Sequence, residues 1–323
     1  MINQRGVQRF FGEIRGALWQ AGVAIGCAAT LLGMPLAAQA AAKGGGLFGQ
    51  SRPAGTGGIT TISGAAGGGI VPWALIAGYG GAGQIGFTAS YTNASTANFD
   101  ANAYGVAAGI DNRVEVSIAQ QNLDVGNTPV AGAFIPATVG ATLTQDIIGV
   151  KVRVFGNALA QGTWMPQVAV GAQYHHNESG ALMNALGLGT KTSGASYYVA
   201  LTKVWLKGLL GHVTVVDFTL DATRANYNGL FGFQGANNPS YHYEPELSAG
   251  VFLDPHVVVG GEYRSMPRLM ARGTASAADA WKDVFVAYVP NKSVSLTLAY
   301  AMLGHIAGVP NSNGLYTSVT ASF

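Results

Sequence analysis

The chain has 323 residues, of which 47 are glycine; only 10% are charged, 49% are hydrophobic, and the formal net charge is +2. Ordinary soluble domains carry about 25% charged residues, so the composition argues against a typical soluble protein, and the balance offers no basic excess to hold nucleic acid. A single cysteine, Cys27, rules out a disulfide framework.

In chain order, residues 1–40 read as a signal peptide. Arg5, Arg9 and Arg15 precede an apolar run from about Ala21 to Leu36, and Ala38-Gln39-Ala40 fits a small-residue cleavage site. Cleavage there would remove Cys27 and bring the remaining charge near zero. Residues 41–58, rich in glycine, read as a flexible periplasmic leader. Residues 59–323 then read as strand after strand. No stretch shows sustained helical periodicity, and no apolar run after residue 40 is long enough for a spanning helix.

The strands show two faces. Ile85, Phe87, Ala89 and Tyr91 oppose Gly86, Thr88, Ser90 and Thr92; Val150, Val152 and Val154 oppose Lys151 and Arg153; Val216, Phe218 and Leu220 oppose Asp217, Thr219 and Asp221. Period-2 alternation puts one set on lipid and the other in a lumen. The pattern predicts fourteen strands, at 59–65, 73–80, 84–92, 102–110, 113–123, 144–155, 164–175, 195–206, 212–225, 244–253, 256–266, 281–289, 292–302 and 314–323. Twelve is the alternative if the first segments are a leader or plug. Short turns alternate with long connections, and an even count puts both termini on one side, as in an outer-membrane up-and-down β-barrel. The last strand carries Leu315, Thr317, Val319, Ala321 and Phe323 on one face and is expected to close the barrel by pairing with 59–65. Trp73, Trp164, Trp205 and Trp281 fall near predicted strand ends, where interface aromatics sit.

The segments Gly64-Ala65-Ala66-Gly67-Gly68-Gly69, Pro72-Trp73-Ala74-Leu75-Ile76, Gly78-Tyr79-Gly80 and Asp146-Ile147-Ile148-Gly149-Val150-Lys151-Val152 resemble a proteobacterial family catalogued as domain of unknown function 3034. The resemblance implies an outer-membrane barrel and carries no catalytic residue over.

The best functional lead is charge on the predicted lumen face: Arg113, Glu115, Lys151, Arg153, Asp217, Asp221, Glu246, Glu262 and Arg264. A midplane cation on the lipid face costs about 2–4 kcal/mol, so alternation should send these inward. They either line an aqueous pore or form a self-neutralising filling. Other motifs are weaker. Gly78-Tyr79-Gly80-Gly81-Ala82-Gly83 matches a dinucleotide fingerprint, but a strand follows where a helix N-terminus is needed, so it reads as a tight turn. His175 and His176 are adjacent and point to opposite faces, which argues against a shared metal. Ser179 near His176, and His256 with Glu262, lack a diagnostic catalytic spacing. The loops near 130–144, 181–189 and 227–233 are unusually apolar, so they fold into the lumen, bind a hydrophobic solute at the entrance, or pack over the barrel mouth. The expectation is a passive, porin-like pore for small solutes, with no cofactor, no metal and no enzymatic activity. Its partners would be outer-membrane lipids and the barrel-insertion machinery. A closed barrel with loop-borne binding or catalysis is the alternative, as is a structural or surface protein.

Overall fold

The computed structural model describes residues 47–125, 141–180, 182, 189–235, 239–269 and 278–323. The signal-peptide reading of residues 1–40 lies outside them, as do Phe134 and Ile135 of the first apolar loop. Twelve strands form the wall: β1 (Ile85–Thr96), β2 (Asp100–Ile110), β3 (Val114–Asp124), β4 (Thr142–Phe155), β5 (Gln167–Asn177), β6 (Ser193–Trp205), β7 (Thr214–Thr223), β8 (His242–Phe252), β9 (Val257–Arg264), β10 (Trp281–Asn291), β11 (Val294–Met302) and β12 (Asn313–Ser322). Each pairs antiparallel with its chain neighbours, and β1 pairs with β12, so the sheet closes with no free edge.

The count is twelve, not fourteen. Segments 59–65 and 73–80 contribute no strand to the wall. The terminal strand therefore closes on β1, from Thr88 opposite Ser322 to Thr96 opposite Gly314, and not on 59–65. Phe87 and Phe323 exchange backbone hydrogen bonds at 3.0 and 2.9 Å just beyond that ladder. Both chain ends of the barrel lie at one end of the cylinder, called here the terminal end. The other, the loop end, carries the long connections β3–β4, β5–β6, β7–β8 and β9–β10.

Strand parity explains the surface. Phe87, Val116, Val150, Val170, Phe218, Leu247, Val286, Leu298 and Leu315 point outward and are exposed. Their chain neighbours Thr88, Glu115, Lys151, Asp217, Glu246, Ser295 and Ser318 point inward and are buried. An apolar outside and a polar inside invert the pattern of a soluble sandwich and suit a cylinder set in hydrocarbon.

The lumen is occupied by the chain itself. Residues 47–84 enter at the terminal end, where Ile85 N–H donates to Leu47 O at 2.7 Å. They climb past Ile62 and Ser63, turn, and return to β1 through Pro72–Gly80. Ala65, Ala66, Val71, Ala74, Ile76, Ala77 and Tyr79 are all buried there. Arg52 staples the two limbs: Nη1 donates to Ile76 O at 2.7 Å and Gly78 O at 3.0 Å, and Nη2 donates to Thr56 O. Burial lowers its pKa to about 10, so it stays charged at neutral pH. Glycine is required where the returning limb passes the wall. Gly78 sits at φ +71°, and a Cβ there would lie 2.5 Å from Gly86 C.

Candidate functional site: the plugged lumen

The strongest contacts between wall and plug come from β3 and β4. Their register places Glu115 opposite Lys151, with both side chains inward. Lys151 Nζ donates to Ala66 O at 2.9 Å, to Leu75 O at 2.8 Å and to Glu115 Oε2 at 3.1 Å, which uses all three of its protons. Glu115 accepts from Ala66 N at 3.1 Å and from Ala77 N at 2.8 Å. One buried ion pair thus grips both limbs of the loop Ala66–Ala77. Neither charge is left without a partner, the condition under which burying it is tolerable.

Neutral and acidic groups hold the same loop from β5, β6 and β7. Gln167 Nε2 donates to Ala74 O at 2.7 Å, and Ala74 N donates to Thr202 Oγ1 at 2.7 Å. Thr219 Oγ1 donates to Pro72 O at 2.7 Å. Asp217 accepts from Thr202 and orients that hydroxyl; its other oxygen lies 3.0 Å from Thr219 Oγ1, which has one proton to share between Asp217 and Pro72 O. On β9, Glu262 Oε2 accepts from Ile70 N at 2.8 Å and Arg264 Nη1 donates to Ile70 O at 3.1 Å. Arg264 also lies 2.9 Å from Glu246 Oε1 and 3.4 Å from Asp221 Oδ2.

A second element descends from the loop end. The β7–β8 connection folds inward and buries Tyr227, Leu230, Phe231 and Phe233. Asn177 Nδ2 donates to Gly229 O at 3.0 Å and Leu230 O at 2.7 Å, while Gln145 Nε2 donates to Asn228 O at 2.8 Å. Asn228 then meets the plug: its Nδ2 donates to Ser63 Oγ at 3.1 Å. The apolar loop 227–233 thus packs inside the barrel against the plug.

Of the charges assigned to the lumen from sequence, Glu115, Lys151, Asp217, Asp221, Glu246, Glu262 and Arg264 are buried inside, and Arg153 is half-buried. Arg113 is different: it is exposed in the turn before β3, because the strand begins one residue later than the alternation implies. Trp164 and Trp205 are exposed near the terminal end. Trp73 and Trp281 do not sit at an interface with lipid. Trp73 belongs to the plug, Trp281 opens β10 on its inward face, and both are buried. Leu315, Thr317, Val319, Ala321 and Phe323 share the outward face of the closing strand and its end. His175 points inward beside Phe233, and its neighbour His176 points outward. Among the described residues no group of three or more His, Cys, Asp or Glu side chains is arranged to hold a metal ion.

Several site residues were not singled out from sequence. Thr202, Gln167, Thr219 and Tyr316 fall on inward positions of strands that alternation already marked, but an uncharged side chain there looks like ordinary lumen filling. Asp283 is inward on β10 by the same parity as Trp281 and was readable from it.

The family model described as "Protein of unknown function (DUF3034)" matches residues 56–320. The chain belongs to the DUF3034 family. That span begins in the plug, well before the first strand of the wall, so the family pattern takes in lumen filling and wall together. The segments that carried the resemblance, Gly64–Gly69, Pro72–Ile76 and Asp146–Val152, meet in this structure at the Lys151 clamp. No curated protein matches this DUF3034 chain. Among solved structures it is similar to the KdgM porin (TM-score 0.44, 8% identity, covering 73% of this chain and 99% of that one). It is also similar to the NanC porin (0.41, 10%, 73% and 98%) and to the Acinetobacter baumannii outer membrane protein Omp33 (0.38, 10%, 73% and 96%). Likeness at this level carries no solute or activity across.

Proposed function

We propose that this DUF3034 protein is an outer-membrane barrel that passes small solutes through a lumen restricted by its own plug. The observation that carries the reading is the Glu115–Lys151 clamp on the loop Ala66–Ala77. The wall is a complete cylinder with an apolar outside, the form in which strands span a bilayer. Its interior is not a sealed apolar core but a polar surface that the plug satisfies by hydrogen bonds. Hydrogen bonds to a wall that water could equally satisfy are reversible in a way that a packed apolar core is not. A signal peptide over residues 1–40 and insertion by the barrel-assembly machinery fit the same reading.

Planar-bilayer recording of the refolded protein tests it. Wild type should show small or infrequent openings. Lys151→Met, which releases Ala66 O and Leu75 O, should raise open time or conductance. A folded barrel, verified by heat-modifiable gel migration, that stays silent as wild type, as Lys151→Met and with residues 53–80 deleted would refute a pore.

A further inference from the structure

The plug does not fill the lumen evenly. Two cavities remain, one above the other; both reach the β10–β12 wall, and the outer one also extends across β1–β3. The outer one, near the loop end, is the larger and is lined by Ile62, Ile70, Phe99, Leu123, Phe231 and Trp281 among others. The inner one, toward the terminal end, is smaller and is lined by Trp73, Val215, Phe252, Val258, Ala287 and Ala299 among others. Asp283 and Tyr316 line both.

The wall explains the space. Several inward positions on β10 and β11 are small, namely Ala287, Ala299, Ala301 and Thr297, although Trp281 and Phe285 of β10 also point inward. The plug is tied most heavily to β3–β7 and β9, and among the described residues no side chain of β10 donates to it or accepts from it. Between the cavities the passage narrows. A Cβ on Gly69 would lie 3.2 Å from both Cζ and Oη of Tyr316, so the plug backbone rests against that ring. One residue earlier, Gly68 passes so close to the Glu262 carboxylate that no side chain fits. Backbone and ring together make a shutter that needs only a rotation of Tyr316, not release of the clamp.

We propose that a small, uncharged, mainly apolar solute crosses the barrel along the β10–β12 wall, through these two cavities in series, with Tyr316 against Gly69 as the gate. The proposal rests on the pore reading above and adds the route and the solute class. The chemistry of the lining selects the solute. Mostly apolar walls reward burial of a ring or short alkyl chain. An anion would lose its hydration and meet the acidic side chains of Asp283 and Glu262 at the gate. A cation would pair there, but would lose its hydration in the mostly apolar lining on either side.

Each cavity contains one buried tryptophan, Trp281 outside the gate and Trp73 inside it, which supplies a readout independent of conductance. The probes are bromobenzene, a heavy-atom quencher, and 4-bromobenzoate, its charged analogue, added to full-length protein in which Trp73 or Trp281 is kept and every other tryptophan is replaced by phenylalanine. Bromobenzene should quench both and 4-bromobenzoate neither. Ala301→Phe, which fills the outer cavity, should weaken quenching of Trp281 by about tenfold. In stopped-flow quenching Tyr316→Ala should speed the arrival of bromobenzene at Trp73, inside the gate, and Tyr316→Phe should not, since the ring closes the gate. Ala299→Phe, which narrows the inner cavity, should reverse the effect of Tyr316→Ala. Equal quenching by the two probes, or Ala301→Phe quenching like wild type, overturns the apolar route even if the pore conducts. Quenching of Trp281 with Trp73 untouched in every variant, Tyr316→Ala included, overturns the gate and the route, while a Lys151→Met pore that conducts by releasing the plug survives that result.

Discussion

At the scale of single residues the molecule turns on one ion pair. Lys151 is fully enclosed and spends its three protons on two plug carbonyls and Glu115. Lys151→Met keeps the length but leaves Glu115 as a buried charge facing only two N–H donors. Breaking a buried pair from one side costs about 3–5 kcal/mol. The heat-modifiable transition of the refolded barrel should fall accordingly, and the double variant Glu115→Leu/Lys151→Met should recover part of the loss. A double variant no better than the single one would mean that the clamp matters for its hydrogen bonds to the plug and not for its charge. Gly78 makes a second case. With φ +71° and Gly86 backbone 2.5 Å from where a Cβ would sit, Gly78→Ala should loosen the returning limb. It should raise hydrogen exchange at Ile76 and Ala77 more than at any wall strand, by a local opening that leaves the barrel closed. Most of the lumen charge was legible by counting parity, because an ionised side chain beside Val or Phe has one affordable direction in a bilayer. Arg113 shows the limit. Parity is defined only inside a strand, and a residue at the turn escapes it.

At the scale of elements, strand identity was legible wherever lipid and lumen faces alternate cleanly, as in β3, β4, β7 and β12. It failed at 59–65 and 73–80 for a physical reason. Ile, Val, Trp and Leu spaced by Ala and Gly look like a strand that alternates apolar and small residues. Glycine at that density also lets a backbone run against a wall at distances no side chain permits, and the wall supplies the hydrogen bonds a neighbouring strand would have given. Sequence cannot separate the two without knowing that Lys151 and Thr202 wait on the other side. The loop end holds a second kind of link. Asp279, before β10, accepts from His305 Nδ1 at 2.7 Å and from His305 N at 2.9 Å, tying the β9–β10 connection to the β11–β12 connection. Those bonds hold the Asp279 carboxyl below its usual range. A depressed carboxyl contributes its full stability above the unfolded value near pH 4 and loses it as pH falls through the folded one. Between pH 7 and 5 hydrogen exchange at Ile306 and Val309 should therefore stay unaffected by this carboxyl. Asp279→Asn should raise it across that range. Protection that is the same in both proteins at every pH would show that the link holds nothing in place.

At the scale of the whole molecule, the wall and its filling are one chain folded back on itself from two directions. The plug rises from the terminal end, the β7–β8 loop descends from the loop end, and they touch at Ser63 and Asn228. That contact joins two elements that enter from opposite ends and also share one apolar cluster, Ile70 and Val71 with Tyr227, Leu230 and Phe231. Ser63→Cys with Asn228→Cys puts a thiol on each side of this 3.1 Å hydrogen bond. In a chain lacking Cys27 these would be the only two thiols. Oxidation should then form an intramolecular crosslink. It should suppress the openings that Lys151→Met adds, because the plug can no longer leave. It should not slow the faster quenching of Trp73 that Tyr316→Ala brings, because the β10–β12 route passes beside the plug. Reduction should restore the first without changing the second. If the crosslink abolishes both, plug and gate move together and the lumen has a single path; if it affects neither, the openings do not involve withdrawal of the plug past Asn228.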